Sequence, residues 1–124
     1  MKSLSITVAI PDKKLSPNAR IHWAAKSKLT KAARREANAQ CLAALQGKRP
    51  PGWLKAKVEV SAYFPTHNHR DPDNLIASLK ATFDGIADSG VICNDKSLWP
   101  ERPIIGKDAR NPRVELVITG EDAK

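Results

Sequence analysis

Leu54-Lys55-Ala56-Lys57-Val58-Glu59-Val60-Ser61-Ala62-Tyr63-Phe64 alternates apolar and polar side chains until Pro65 interrupts it. A period of two predicts a strand with one buried face. Beyond a short polar link the period changes. From residue 72 to residue 88, Leu75, Leu79, Phe83 and Ile86 recur at helical spacing, and Ser89-Gly90 ends the run. Upstream, Leu4, Ile6, Val8 and Ile10 alternate with Ser5, Thr7 and Ala9 as far as Pro11, which predicts another half-buried strand. A polar loop over residues 12–18 follows. Residues 21–46, rich in Ala, Lys, Arg and Leu, predict a long helix that Gly47 and Pro50-Pro51-Gly52 stop. Downstream, Val91-Ile92-Cys93 is a short apolar run. The tail reads as a hairpin, with one arm near 102–107, a turn over 108–112 and a closing strand over 114–118. The order β-α-β-α-β-β predicts a single α+β domain over residues 1–124, a two-layer arrangement with two main helices on one mixed sheet.

With 124 residues the chain reads as one domain with a modest core. No apolar run approaches the roughly 18 residues of a membrane span, and Met1-Lys2-Ser3-Leu4-Ser5-Ile6 is too short and polar for a secretory signal. Cys41 and Cys93 have no metal-site spacing and read as free thiols in a reducing cytoplasm. The net charge of +8 is unevenly placed. Residues 1–60 hold 13 Lys/Arg against 3 Asp/Glu, net +10, while residues 61–124 hold 8 against 10, net −2. A basic half suits a polyanion held through phosphate contacts and counterion release. The same charge also serves solubility.

Against that background the acids of Arg70-Asp71-Pro72-Asp73-Asn74-Leu75 stand out. Asp71 before Pro72 is a favoured helix cap followed by a favoured first helical residue. Capping leaves Asp73 only partly explained, although an acid in the first turn does complement the helix dipole. Carboxylate oxygens are hard ligands suited to Mg²⁺ or Mn²⁺, and a metal between them would explain why acids cluster in a chain built to meet phosphate. Asp95 is the third candidate ligand. A helix over residues 72–88 is about 25 Å long, so Asp95 reaches the Asp71/Asp73 end only if residues 91–93 run back antiparallel to it. His67 and His69 read as ligands, as phosphate contacts or as a polar turn. Lys28, Lys31 and Arg35, with Arg34 beside them, form a basic stripe on the first helix that suits DNA or simply a solvated face. Trp23, Trp53 and Trp99 are too scattered for a stacking platform and read as core or dimer residues, with Trp23, near Arg20 and His22, the exception.

The pattern Asp71-x-Asp73-Asn74-Leu75, with an Asp-Gly helix end and an apolar-apolar-x-x-Asp95 segment after it, resembles the RusA family of Holliday-junction resolvases. The likeness extends to the opening strand, the Ser16-Pro17-Asn18-x-Arg20 loop and the final strand, and so covers most of the chain. It implies a Mg²⁺-dependent homodimeric endonuclease, commonly prophage-encoded, that nicks four-way DNA junctions symmetrically during recombination and repair. Asp71, Asp73 and Asp95 would be its catalytic, metal-binding acids; the candidate DNA contacts, read from the placement of charge, are Arg20, Lys28, Lys31, Arg34, Arg35 and Arg70. Two positions depart from the family pattern: Asn94-Asp95 stands where an acidic doublet is frequent, and Ala77 where the catalytic lysine commonly falls. Lys80 lies seven residues after Asp73, about 10 Å along the helix. It either reaches a phosphate in place of the missing lysine or pairs with Asp84 at i+4. Two rival readings remain: a non-catalytic DNA-binding module whose acids are caps, and a metal-dependent nuclease of flaps or single strands.

Overall fold

The computed structural model describes residues 2–67 and 71–121. Its elements are β1 (Ser3–Val8), α1 (Trp23–Leu45), β2 (Ala56–Phe64), α2 (Pro72–Ser78), α3 (Lys80–Asp88), β3 (Leu98–Pro100), β4 (Ile104–Lys107) and β5 (Arg113–Gly120). The architecture is α+β, three helices and a mixed five-stranded sheet. Strand order is β1-β5-β2, with β3 and β4 following one another along the outer side of β2. β5 is antiparallel to both neighbours, whereas β3 and β4 run parallel to β2. β1 and β2 therefore point the same way, with β5 between them.

The alternation that predicts β1 and β2 is what buries them on one side only. Leu4, Ile6 and Val8 of β1, Ala56, Val58, Val60 and Ala62 of β2, and Val114, Leu116 and Ile118 of β5 face the helices. The helical stripe Leu75, Leu79, Phe83 and Ile86 closes onto that face and is buried throughout. From α1 the core receives Ala37, Cys41 and Leu45, spaced by four and all in the second half of a 23-residue helix. Burial pushes the Cys41 thiol up from its ordinary value, and Cys93 is exposed.

Two expectations need correction. The helix over 72–88 is two helices. Ser78 Oγ donates to the Asn74 carbonyl at 2.7 Å, a back-bond that bends helices. Leu79 then adopts φ −92° and ψ 5°, and its N–H turns to Ile76 O at 3.1 Å, a tighter i−3 bond. The expected hairpin is also absent. The 108–112 turn is well made, since Asp108 Oδ1 accepts from the N–H groups of Arg110 and Asn111. It arches over the end of β2, where the Asp108 N–H donates to Phe64 O at 2.8 Å. β4 and β5 consequently lie on opposite sides of β2. A short strand that the sequence reading lacked, β3, precedes them. Pro100 and Pro103, without N–H groups, separate β3 from β4.

The closest helix contact is at Gly85. A Cβ built there would stand 2.2 Å from Arg34 O and 2.8 Å from Ala37 Cβ, so the α1 and α3 backbones meet only because that carbon is missing. Arg34 clamps the same contact: Nη2 donates to Asp88 Oδ1 at 2.8 Å and Nε to Oδ2. The hydrogen bond from Arg34 holds the Asp88 carboxyl below its usual range.

Gly85→Ala should force the helices apart and cost about 1–3 kcal/mol, measured by urea unfolding. The depressed Asp88 carboxyl contributes stability above its unfolded value, and that contribution is lost as pH falls through the folded one. The stability advantage of wild type over Asp88→Asn should therefore be full near neutral pH and shrink progressively as pH falls below about 4 in pH-resolved unfolding curves.

Candidate active site

The acids expected at the site sit where the chain leaves β2 and enters α2. Asp71 is the N-cap of α2, in extended conformation at φ −81° and ψ 117°, with Pro72 in the first turn. Its Oδ1 accepts from the N–H groups of Asp73 at 2.9 Å and Asn74 at 3.4 Å. That satisfies two of the helix's orphan donors. Among the described residues Oδ2 accepts nothing, and the carboxylate of Asp73, exposed in the first turn, has no hydrogen-bond or ion-pair partner.

Asp71 and Asp73 line different clefts. Asp71, with Asn74, borders a cleft of about 420 Å³ whose other walls include Asp12, Ser16, Asn18 and Phe64. It lies at the carboxyl ends of β1 and β2, which point the same way on either side of β5. The Ser16-Pro17-Asn18 loop singled out in the sequence thus meets the Asp71 motif across this cleft. Asp73 borders a second cleft of about 520 Å³ with Pro72, Ile76, Pro100, Glu101, Arg102 and Pro103. Glu101 and Arg102 went unnoticed in the sequence, because they belong to no pattern. Only the prolines flanking them hinted at the broken edge strand that turns them toward Asp73.

Asp95 is placed differently. The segment after α3 does run back, with Val91 and Ile92 buried and Ile92 bridged in parallel to Trp53. Asn94 caps a one-turn 3-10 helix over Asp95–Ser97. This return brings Asp95 to the start of α3, where its Oδ2 lies 3.8 Å from Lys80 Nζ, while Asp84 Oδ2 lies 3.7 Å from the same nitrogen. Lys80 therefore makes the i+4 pair and also meets Asp95. The break at Leu79 puts Lys80 and Asp73 on different helices. Among the described residues, no three His, Cys, Asp or Glu side chains gather in a way that could hold a metal ion.

The donor chemistry at Asp71 and Asp73 nonetheless fits Mg²⁺. That ion keeps several waters and is commonly held by one or two carboxylates plus substrate phosphate. Both carboxylates are exposed, and three of their four oxygens accept nothing among the described residues. His69 and Arg70 lie outside the described residues, and His67 is exposed. Of the basic residues expected to meet DNA, Arg20, Lys28, Lys31 and Arg35 are exposed, whereas Arg34 is engaged with Asp88.

No family model matches the chain. It is 38% identical over 125 residues to an uncharacterized protein of Xylella fastidiosa (strain Temecula1 / ATCC 700964), an alignment that covers 94% of this chain and 76% of that protein. The chain belongs to the same family as that Xylella protein.

Asp71 has a separable structural duty. Asp71→Ala should cost about 1 kcal/mol through loss of the cap, whereas Asp71→Asn, an equally good cap, should be near neutral. Thermal denaturation of the two variants checks this.

Proposed function

We propose that this protein is a RusA-type, Mg²⁺-dependent endodeoxyribonuclease that resolves Holliday junctions by paired symmetric nicks, acting in cytoplasmic DNA recombination and repair. The observation that supports this best is the pair of exposed carboxylates, Asp71 and Asp73, at the carboxyl ends of β1 and β2, in a chain whose first 60 residues are net +10. Acids at such a place repel phosphate unless a cation joins them to it.

In this reading Asp71 and Asp73 would hold Mg²⁺, with Mn²⁺ as a substitute, and Asp95, beside Lys80, is the third acid that the resemblance implies. When bound, the ion supplies polarisation of the scissile phosphate and offsets charge on the departing oxygen. The chain's own residues do the rest. A carboxylate oxygen of the site takes the proton of the attacking water. Lys80, 3.8 Å from Asp95, and Arg70 beside the motif stabilise charge developing on the phosphate. Arg20, Lys28, Lys31 and Arg35 hold the DNA backbone, while Arg34 stays with Asp88. Two equivalent cuts in a twofold-symmetric junction call for two equivalent sites, which a C₂ homodimer supplies.

A second reading has its own support. Asp71 already caps α2, and Asp95 already pairs with Lys80, as they would in a non-catalytic DNA-binding protein of the same fold. A flap or single-strand nuclease would use the same acids as the resolvase. Among the described residues no helix is long and apolar enough to cross a membrane.

A mobile-core four-way junction, a flap and a linear duplex, each incubated with and without Mg²⁺, separate these readings. Wild type should give paired symmetric nicks in the junction only with Mg²⁺. Asp73→Asn should abolish them while preserving or strengthening DNA binding. Equal cleavage by the variant sinks the acid assignment, absence of cleavage by wild type favours the binding module, and preference for the flap removes the junction as substrate.

A further inference from the structure

The first half of α1 contributes nothing to the buried core, because the helix's buried residues are Ala37, Cys41 and Leu45. At its first position Trp23 is 75% exposed, the most exposed of the large hydrophobic residues. His22 caps the helix by accepting from the Ala24 N–H through Nδ1 at 3.2 Å, and its ring stands 5.6 Å from the indole at 31°. The indole is thus flanked by a ring that the cap holds in place. From Trp23 a groove of about 470 Å³ follows the helix, floored by small residues such as Ala24 and Ser27 and lined by Lys28, Lys31 and Arg35.

Two properties of this groove point to its occupant. No acid lines it, and none of its three cations has an ion-pair partner among the described residues, whereas neighbouring Arg34 is tied to Asp88. Trp23 to Arg35 also spans about 18 Å of helix, so the cations follow one another along a track. A row of unpaired cations suits successive phosphates. An exposed indole at the end of the row suits the face of a nucleobase, and that face is accessible only where bases are not stacked in a duplex.

We infer that this groove binds unpaired nucleotides, with Trp23 stacking on an exposed base while Lys28, Lys31 and Arg35 neutralise the phosphates beside it. The inference rests on the reading of the protein as a DNA enzyme and deepens it. It gives the basic helix a preference for strands opened at a branch point over continuous duplex.

Metal-free binding of a labelled single-stranded thymidine oligonucleotide and of a blunt duplex, followed by fluorescence anisotropy, tests the inference. Trp23→Ala should weaken oligonucleotide binding about 5- to 100-fold and change duplex binding less than about twofold, and Trp23→Phe should recover most of the loss. Lys31→Ala should weaken both and lower the salt slope by about 1. Equal weakening of both probes by Trp23→Ala, or of neither, overturns the stacking role. Because Trp23 is solvent-exposed, circular dichroism of the variants should match wild type. The assay needs no cleavage, so a failed nuclease reading and a failed stacking reading give different results.

Discussion

The contact between α1 and α3 at Gly85 is the constraint on which the rest of the molecule depends. The missing Cβ lets the Arg34 carbonyl lie against α3, and Ala37 and Cys41 keep the seam narrow on the other side. The bidentate pair of Arg34 with Asp88 spans the rim. Its electrostatic value is small because both side chains are solvated, but it fixes the register of one helix on the other. α3 is consequently buried over most of its length, through Ala81, Thr82, Phe83, Gly85 and Ile86. Lys80 at its start and the returning segment that ends at Asp95 are positioned by that burial.

The sheet places the remaining site residues. With β5 between them, β1 and β2 run in the same direction and end on the same side. The loop after β1 and the start of α2 therefore meet, which is why Ser16 and Asn18 share a cleft with Asp71 and Asn74. On the outer side of β2 the prolines at 100 and 103 interrupt the edge ladder, and the Glu101 N–H donates to Val58 O at 2.9 Å before the chain bows out. That bow forms the wall opposite Asp73.

What was legible in the sequence was whatever a single face against solvent dictates. The alternations Leu4-Ile6-Val8 and Ala56-Val58-Val60-Ala62, and the stripe Leu75-Leu79-Phe83-Ile86, are local records of burial, and all of these residues are buried. The failures concern relations between distant segments. An apolar arm before a turn and another after it look alike whether they pair with each other or embrace a third strand, so the insertion of β2 between β4 and β5 left no local sign. At the break by Leu79, the Ser78 hydroxyl bonds the Asn74 carbonyl, a choice that residue type alone does not announce. The basic stripe on α1 was legible from its spacing, but the partner that removes Arg34 from it lies 54 residues away. For the candidate site, the cap at Asp71 follows from residue type alone, whereas Glu101 and Arg102 arrive by tertiary path only.

The break at Leu79 has an electrostatic consequence. It makes Lys80 the first residue of a new helix, where a cation opposes the positive end of the helix dipole. Local helix stability would favour an acid there, as at Asp73 one helix earlier. Asp84 at i+4 and Asp95 from the returning segment both lie within 4 Å of the ammonium and offset the mismatch. Two neighbours from different parts of the chain thus offset a residue that violates a local rule. The ammonium is itself largely exposed, so the two acids hold it near the surface without removing it from approach by a phosphate. The arrangement keeps an exposed cation at the first turn of α3, flanked by two carboxylates from different parts of the chain.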